Sequence, residues 1–211
     1  MNRIFTLCFF FILATNVFAQ DKTNKFVVST SVQFSKDNPL GAFEQENVNL
    51  NARTTITLIP RIAYQFHPNW AAGALYSYSN TSFESTFTIG DPDVIGKIEG
   101  DVTHHLGGLF VQRVLVDKAK FQLFTELDGR VGTQRTHYKS DLEEVKRDYF
   151  SSGLHLGGRY KFYKGLGAEF RVEHIIGYHS TKQENSSTKG SEWRVLSDPL
   201  GNVSIGLSYS F

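Results

Sequence analysis

Apolar and polar residues alternate at every second position along much of this chain. From Val203 to Phe211 every odd position is apolar or aromatic, and every even position is Ser or Gly. A period of two is typical of a β-strand with one apolar and one polar face, and apolar residues at helical spacing are nowhere sustained. Eight segments show this pattern, at residues 25–35, 53–66, 70–83, 99–116, 121–133, 148–163, 166–180 and 200–211.

The connections between these segments alternate in length. Three are short turns, at residues 67–69, 117–120 and 163–165, and four are long polar stretches, at 36–52, 84–98, 134–147 and 181–199. An even number of strands with short turns at one end and long loops at the other is the layout of an outer-membrane barrel, whose strands need about nine to eleven residues to cross the bilayer. The sequence therefore predicts an all-β fold, an eight-stranded antiparallel up-and-down transmembrane β-barrel.

Alternation does not say which face is wet, because a soluble lipocalin-type barrel has the same period with its apolar face inside. The asymmetric connections and the mixture of charges and glycines on the polar faces favour the membrane orientation. Aromatic residues also collect near the short turns, as a membrane-interface girdle requires. We predict that the girdle is formed by Phe66, Trp70, Phe162 and Tyr163.

The polar faces then form the lumen, which in eight strands is only wide enough for side chains. Buried ions must be paired or hydrogen-bonded, so the prediction is a plug of salt bridges rather than a conducting path. The predicted lumen charge network is Arg61, Glu126, Asp128, Arg130, Arg159, Lys161, Glu169, Arg171 and Glu173.

The turn at 163–165 predicts a register for the hairpin formed by the sixth and seventh segments. Inward residues are odd-numbered on both of its strands, and directly opposed residues must share a face. A three-residue loop with Gly165 in the left-handed conformation satisfies both conditions. It places Phe162 opposite Leu166, Arg159 opposite Glu169, and His155 opposite Glu173.

Composition narrows the class of protein to which the chain can belong. Residues 1–19 have a basic Arg3, an apolar run and small residues before a cleavage point, which predicts a signal peptide followed by a barrel domain at 20–211. Without Arg3 the remaining chain has 21 basic and 21 acidic residues, so no basic field indicates nucleic acid. Cys8 is the only cysteine and lies in the signal, which excludes a disulfide framework and a thiolate metal site.

The segments "PRIAYQFHPNWAAG", "GGLFVQRVLV", "FTELDGRVG" and "GLSYSF" resemble small OmpA/OmpX-like outer-membrane β-barrel domains of the porin family, Bacteroidota type. The resemblance implies that Tyr209 and Phe211 belong to an assembly signal that the barrel-insertion machinery reads. It also implies residence in the outer membrane of a Gram-negative bacterium. Full OmpA-type proteins carry a peptidoglycan-binding domain after the barrel, and because the resemblance covers only the barrel we expect no cell-wall tether.

Candidate chemistry is sparse. His104 and His105 are adjacent, so a strand points them to opposite faces. In "DPDVIG", Ile95 stands where a calcium loop needs an oxygen ligand. Lipid A deacylases, which are also eight-stranded barrels, carry His-x-Ser on a late strand, whereas here Ser180 directly follows His179 and Thr181 takes the nucleophile's place.

We therefore expect a monomeric, non-enzymatic outer-membrane barrel without a cofactor or metal, with a structural or surface-interaction role through its long loops. A narrow pore and a lipid-modifying hydrolase are the alternatives. The expected partners are outer-membrane lipids, the insertion machinery and an unidentified extracellular ligand, and not nucleic acid.

Overall fold

The computed structural model describes residues 26–37, 48–88, 95–139, 144–183, 189–195 and 202–211. The predicted signal peptide and the residues Asp91 and Asp93 lie outside these ranges. No helix among the described residues is long and apolar enough to span a bilayer. The strands are β1 (Phe26–Asp37), β2 (Val48–His67), β3 (Trp70–Thr88), β4 (Ile95–Asp117), β5 (Phe121–Tyr138), β6 (Val145–Tyr163), β7 (Leu166–Gln183), β8 (Lys189–Val195) and β9 (Val203–Ser210).

These strands form a closed antiparallel ring, which confirms the predicted up-and-down barrel. Each strand from β1 to β7 pairs with its neighbour in sequence, and β9 pairs with both β7 and β1. At the closing seam Val27 pairs with Ser210, and the backbones of Phe26 and Phe211 exchange hydrogen bonds of 3.1 and 3.0 Å. Because the ring is closed, the half of the sheet near the short turns has no free edge.

One prediction was wrong, because the stretch 181–199 contains a strand instead of being entirely loop. Strand β8 pairs with the upper part of β7, from Ile176 opposite Val195 to Lys182 opposite Lys189, while β9 pairs with its lower part. The eighth place in the ring is therefore filled by two strands in line. The polar composition of 181–199 hides β8, whose side chains are exposed from Gly190 to Val195.

The other long stretches are also shorter loops than predicted, because the strands continue into them. Strands β2 to β7 are 18 to 23 residues long, well beyond the nine to eleven that cross a bilayer. Cross-strand ion pairs join these extensions: Lys97 Nζ lies 3.2 Å from Glu84 and 2.6 Å from Glu99, and Lys139 lies 3.1 Å from Glu99. Hydrogen bonds from the two lysines lower the pKa of Glu99, the larger effect coming from Lys97. We call this the loop end and the opposite end the turn end.

Apolar side chains cover the outside of the barrel, and charged side chains lie inside. On β5, Leu127 and Val131 are 57% and 61% exposed, whereas the residues that precede them, Glu126 and Arg130, are 0% and 4% exposed. The terminal strand repeats the arrangement, with Ile205 outside and Ser204 buried. The alternation of the sequence therefore corresponds to an inside-out barrel.

The lumen also holds an apolar cluster that the sequence reasoning missed. It lies on β2, β3 and β4, and Leu106 and Val114 on β4 are also buried. The cluster is hard to find from sequence because Leu109 and Val111, on the outer face of β4, are as apolar as Leu106 and Phe110 on the inner face. Its members are Ile59, Ala63, Ala71, Leu75 and Phe110.

The turn between β6 and β7 has the predicted left-handed glycine, since Gly165 has φ 85°. The register also places Arg159 opposite Glu169, as predicted. The predicted three-residue loop and the predicted pairing of Phe162 with Leu166 were wrong. Strand β6 continues to Tyr163, which pairs with Leu166 across the two-residue turn Lys164–Gly165. An irregularity between Lys161 and Tyr163 absorbs the extra residue. A second irregularity, opposite His155, is described with the site.

Phe124 and Gly157 give a test of the lumen packing. Phe124 is 0% exposed, and a Cβ on Gly157 would lie 2.4 Å from its ring, so Gly157→Ala should lower the free energy of unfolding by about 1–3 kcal/mol through overpacking. Urea unfolding in lipid vesicles measures the change. Gly107→Ala is the matched control, because a Cβ there meets nothing within 4 Å. Equal stability of the two variants would contradict this packing.

Candidate functional site

Nine side chains form a charged layer across the middle of the lumen. Each belongs to a residue that is at most 7% exposed, although each carries a charged or titratable group. The strands place them there because the inward positions of β2, β5, β6 and β7 are occupied by ionisable residues. The charged layer consists of Arg61, Glu126, Asp128, Arg130, His155, Arg159, Glu169, Arg171 and Glu173.

The turn-end side of the charged layer is a chain of alternating charges. Arg159 Nε donates to Glu169 Oε1 at 2.6 Å, and Arg171 Nη2 donates to Glu169 Oε2 at 2.9 Å. Arg171 also binds Glu126 through its Nη1, and Arg159 Nη1 donates to Gln122 Oε1 at 2.8 Å. Each carboxylate in this chain therefore binds at least one guanidinium group.

The loop-end side is centred on Glu173. Its Oε1 accepts from Arg61 Nη2 at 3.1 Å and from Ser204 Oγ at 2.9 Å, and its Oε2 accepts from Arg130 Nη2 at 3.3 Å. His155 Nδ1 lies 2.9 Å from the same Oε2, so the predicted approach of His155 to Glu173 is found. Arg130 Nε also donates to Asp128 Oδ2 at 2.6 Å.

The charged layer balances four arginines against four carboxylates, with His155 between two of the carboxylates. An isolated buried ion costs several kcal/mol, and pairing with full hydrogen bonding offsets that cost. The arrangement is dense and buried on every side.

Phe124 is an inward aromatic that the sequence reasoning missed. The guanidinium carbons of Arg159 and Arg171 lie 5.7 and 5.0 Å from its ring centre. Cation–π contacts of this kind are strengthened when both groups are desolvated. The ring therefore acts as an apolar floor for the turn-end side of the charged layer.

His174 also escaped prediction, because its even number would place it outside the barrel. Strand β7 carries three residues, Glu173 to Ile175, opposite the single residue His155 of β6. In this bulge His174 takes a φ of 53°, which is uncommon for a residue with a side chain. Its ring turns into the lumen, 4.9 Å from the ring of His155 and 5.3 Å from that of His179.

A cavity of about 560 Å³ occupies the loop end above the charged layer. Several of its lining residues are exposed, including Ser191, Glu192 and Arg194, so it is open to solvent. Its ring-bearing and basic lining residues are Arg53, Phe83, His104, Tyr138, Arg147, Tyr149, His179 and Arg194.

The adjacent residues His104 and His105, and likewise His179 and Ser180, lie on opposite faces of their strands. His104 faces the cavity, whereas His105 faces outward and bonds Tyr76 Oη at 2.6 Å. His179 lies in the lumen, 2.7 Å from Tyr149 Oη, while Ser180 belongs to the opposite face of β7. A base and nucleophile do not meet at this pair.

The remaining predicted residues lie near the turn end. Lys161 was assigned to the buried network, which was wrong: its side chain is 37% exposed and binds Asp117 at 3.2 Å, because the inward face of β6 reaches the barrel rim there. Phe211 stacks on Phe26, with ring centres 6.3 Å apart, and its ring lies tilted against that of Tyr209 at 5.5 Å. The exposed aromatic side chains at this end are Phe66 at 57%, Trp70 at 37%, Phe162 at 49%, Tyr163 at 64% and Tyr209 at 47%.

A closed antiparallel barrel with an apolar exterior and a buried charged interior defines a β-barrel of the transmembrane type. Neither a protein-family model nor a curated protein sequence matches the chain.

Solved structures with a similar arrangement of strands are found. The outer membrane protein Ail of Yersinia pestis is 13% identical, with a TM-score of 0.43 over 90% of this chain and 100% of that one. Neisserial surface protein A is 10% identical, with a TM-score of 0.42 over 90% of this chain and 98% of that one. The outer membrane protein OprG of Pseudomonas aeruginosa is 16% identical, with a TM-score of 0.48 over 90% of this chain and 96% of that one. At this level the similarity carries no information about function.

The charged layer predicts an asymmetric mutant cycle. Glu169→Ala should lower the free energy of unfolding by about 3–5 kcal/mol, because it leaves Arg159 buried without its carboxylate. In an Arg159→Ala background the same change should cost about 0.5–3 kcal/mol less, because that stranded cation is absent. Urea unfolding in vesicles gives both values. The control is Glu84→Ala, which removes a half-exposed ion pair and should leave stability unchanged; identical costs of Glu169→Ala in both backgrounds would contradict the pairing.

Proposed function

We propose that the protein is a small integral outer-membrane β-barrel with a structural or surface-interaction role and a closed lumen. The observation that carries this proposal is the inverted distribution of side chains. Arg171 and Glu173 are 1% exposed, whereas Leu109 and Ile205 are 71% and 67% exposed. In water this exterior would be a large apolar patch, while in a bilayer the same surface is matched to its solvent.

The turn end supports the membrane assignment. Exposed aromatic rings gather there, as in the girdles of barrels at the lipid–water interface. Such rings place an apolar body in lipid and a polar edge near water. The proposed partners are therefore outer-membrane lipids and the barrel-insertion machinery, with the protein acting as a monomer.

The charged layer supports a structural or interaction role over transport. Its ion pairs fill the cross-section that eight strands leave, so a solute would have to break buried pairs to pass. The surface left for a ligand is the loop end, where the cavity and the long strand extensions meet solvent. We propose that any extracellular ligand is met there.

A narrow pore is the second candidate, because the cavity already opens the loop-end part of the lumen. Conduction then requires only that the charged layer rearrange. A lipid-modifying hydrolase has no such support, since His179 bonds Tyr149 and Ser180 lies on the other face. We therefore propose a non-enzymatic role. The porin-family and Bacteroidota resemblance stays part of this proposal.

The membrane assignment predicts fractionation with the outer membrane. Unboiled protein in a denaturing gel should migrate differently from boiled protein, because the closed hydrogen-bonded barrel resists detergent until it is heated. Membrane fractionation and paired gel lanes measure both properties. A soluble periplasmic protein without a heat-dependent shift would contradict the proposal.

Closure of the lumen predicts that the protein conducts no steady ionic current in planar bilayers. A Glu126→Ala/Arg171→Ala double variant removes one buried pair together and should open a path, giving measurable current steps. Leu109→Ala, on the lipid face, is the control and should remain silent. Steady conductance by the unaltered protein would favour the pore instead.

The resemblance of "GLSYSF" to an assembly signal and the stacking of Phe211 on Phe26 predict a role for Phe211 in insertion. Phe211→Ala should lower the outer-membrane yield several-fold, because it removes both the recognised aromatic and a contact across the closing seam. Quantitative blotting of membrane fractions measures the yield. Phe170→Leu, on the exposed face of β7, is the control; the same yield for both variants would argue against the signal.

A further inference from the structure

Three potential metal ligands converge on the loop-end side of the charged layer. Asp128 on β5, His155 on β6 and His174 on β7 each offer one ligand atom, and these atoms lie within 4.8 Å of one another. Neighbouring strands contribute them, so the barrel scaffold holds all three backbones. Two are on the expected inward positions, and the bulge of β7 adds the third.

The three side chains also carry polar atoms that lack hydrogen bonds. Asp128 Oδ1, His155 Nε2 and His174 Nε2 are buried, and none has a hydrogen-bond partner among the described residues. His155 Nε2 does lie 3.2 Å from Asp128 Oδ2, within ion-pair distance. Buried polar atoms are normally satisfied, so the two unsatisfied atoms beside this ion pair, Asp128 Oδ1 and His174 Nε2, need an explanation.

The surrounding residues orient two of the ligands. Glu173 Oε2 lies 2.9 Å from His155 Nδ1, an arrangement in which a carboxylate fixes an imidazole and leaves Nε2 for a metal. The backbone N–H of His174 donates to the same Nδ1 at 3.0 Å, so binding of a metal through Nε2 requires the ring proton to move to Nδ1, where Glu173 Oε2 accepts it. Arg130 occupies only Oδ2 of Asp128, which leaves Oδ1 available.

His174 is held in place at a conformational cost. Its positive φ is a conformation that persists only where the surroundings enforce it, and such residues cluster at functional sites. Two inward glycines make room for its ring: a Cβ on Gly153 would lie 2.6 Å from His174 Cδ2, and one on Gly177 would lie 3.2 Å from it. The bulge and both glycines thus serve to bring this imidazole inside.

An ion would reach the three ligands from the loop end. His179 lines the cavity, and its ring lies 5.3 Å from that of His174. The path therefore avoids the turn-end side of the charged layer. The nearest competing cation is Arg130, which stays paired with Asp128 Oδ2 and Glu173.

We propose that Asp128, His155 and His174 bind one divalent first-row transition-metal ion, with a further coordination position open toward the cavity. Two imidazole nitrogens and one carboxylate oxygen suit Zn²⁺ and its neighbours better than Ca²⁺ or Mg²⁺, which prefer oxygen ligands. Ligands about 2.0–2.1 Å from a tetrahedral ion are about 3.3 Å apart. The ligand atoms here lie within 4.8 Å of one another, and rotation of the side chains would bring them to the shorter separation.

Zn²⁺ is the probe for this site. Untagged protein extracted from membranes in detergent and stripped with a chelator should bind one equivalent of Zn²⁺ at micromolar or lower concentration in competition with a chromophoric chelator. His174→Gln and Asp128→Asn should each weaken binding at least tenfold. Gly153→Ala should also weaken it, because its methyl group displaces the His174 ring while every ligand remains.

His105→Gln is the matched control, since it removes an exposed, outward histidine and should leave the affinity unchanged. A heat-dependent gel shift establishes that each variant is folded. X-ray absorption of the zinc-loaded unaltered protein should show nitrogen and oxygen ligands at about 2.0–2.1 Å, a readout that needs no variant. Failure of the unaltered protein to bind Zn²⁺ below millimolar concentration, or wild-type affinity in folded His174→Gln, would overturn the site.

Discussion

The pairing of charges in a narrow lumen is the constraint on which the rest of this barrel depends. Arg171, with its neighbours Glu126 and Glu169, has no access to water, so each group needs the others to offset its desolvation. A relative displacement of two strands by one residue would turn these charges toward lipid. The buried ions thus specify the register of the barrel, and the apolar exterior makes the barrel compatible with a lipid bilayer.

The lumen is not uniform, and its division has functional meaning. Ile59, Phe110 and their neighbours fill the side formed by β2 to β4, so the ions are confined to the remainder of the cross-section. Titratable groups are therefore concentrated against β5, β6 and β7. The buried, unsatisfied atoms of Asp128 and His174 lie on the loop-end side of that concentration, where the ring of His174 is 5.3 Å from that of the cavity residue His179.

Periodicity alone predicted the barrel, its short turns and the pairing of Arg159 with Glu169, because a strand's period of two couples each residue's number to a face. It failed where that coupling is broken or uninformative. The bulge at His174 adds residues to one strand only, and no local signal marks it. On β4 both faces are apolar, so Phe110 could not be assigned. Strand β8 was missed because its stability comes from pairing with β7 rather than from an apolar face.

The seam between β1 and β9 differs from every other pairing in the ring. The other pairings join strands that follow one another, or nearly so, along the chain, whereas Val27 meets Ser210 across almost the whole of it. Loop-closure entropy rises only slowly with length, so this last contact costs roughly 3–4 kcal/mol more than a contact across a short turn. Its larger effect is on timing. Until β9 is present, β1 remains an unpaired edge open to association with other chains, so the cell must shield the unfinished sheet.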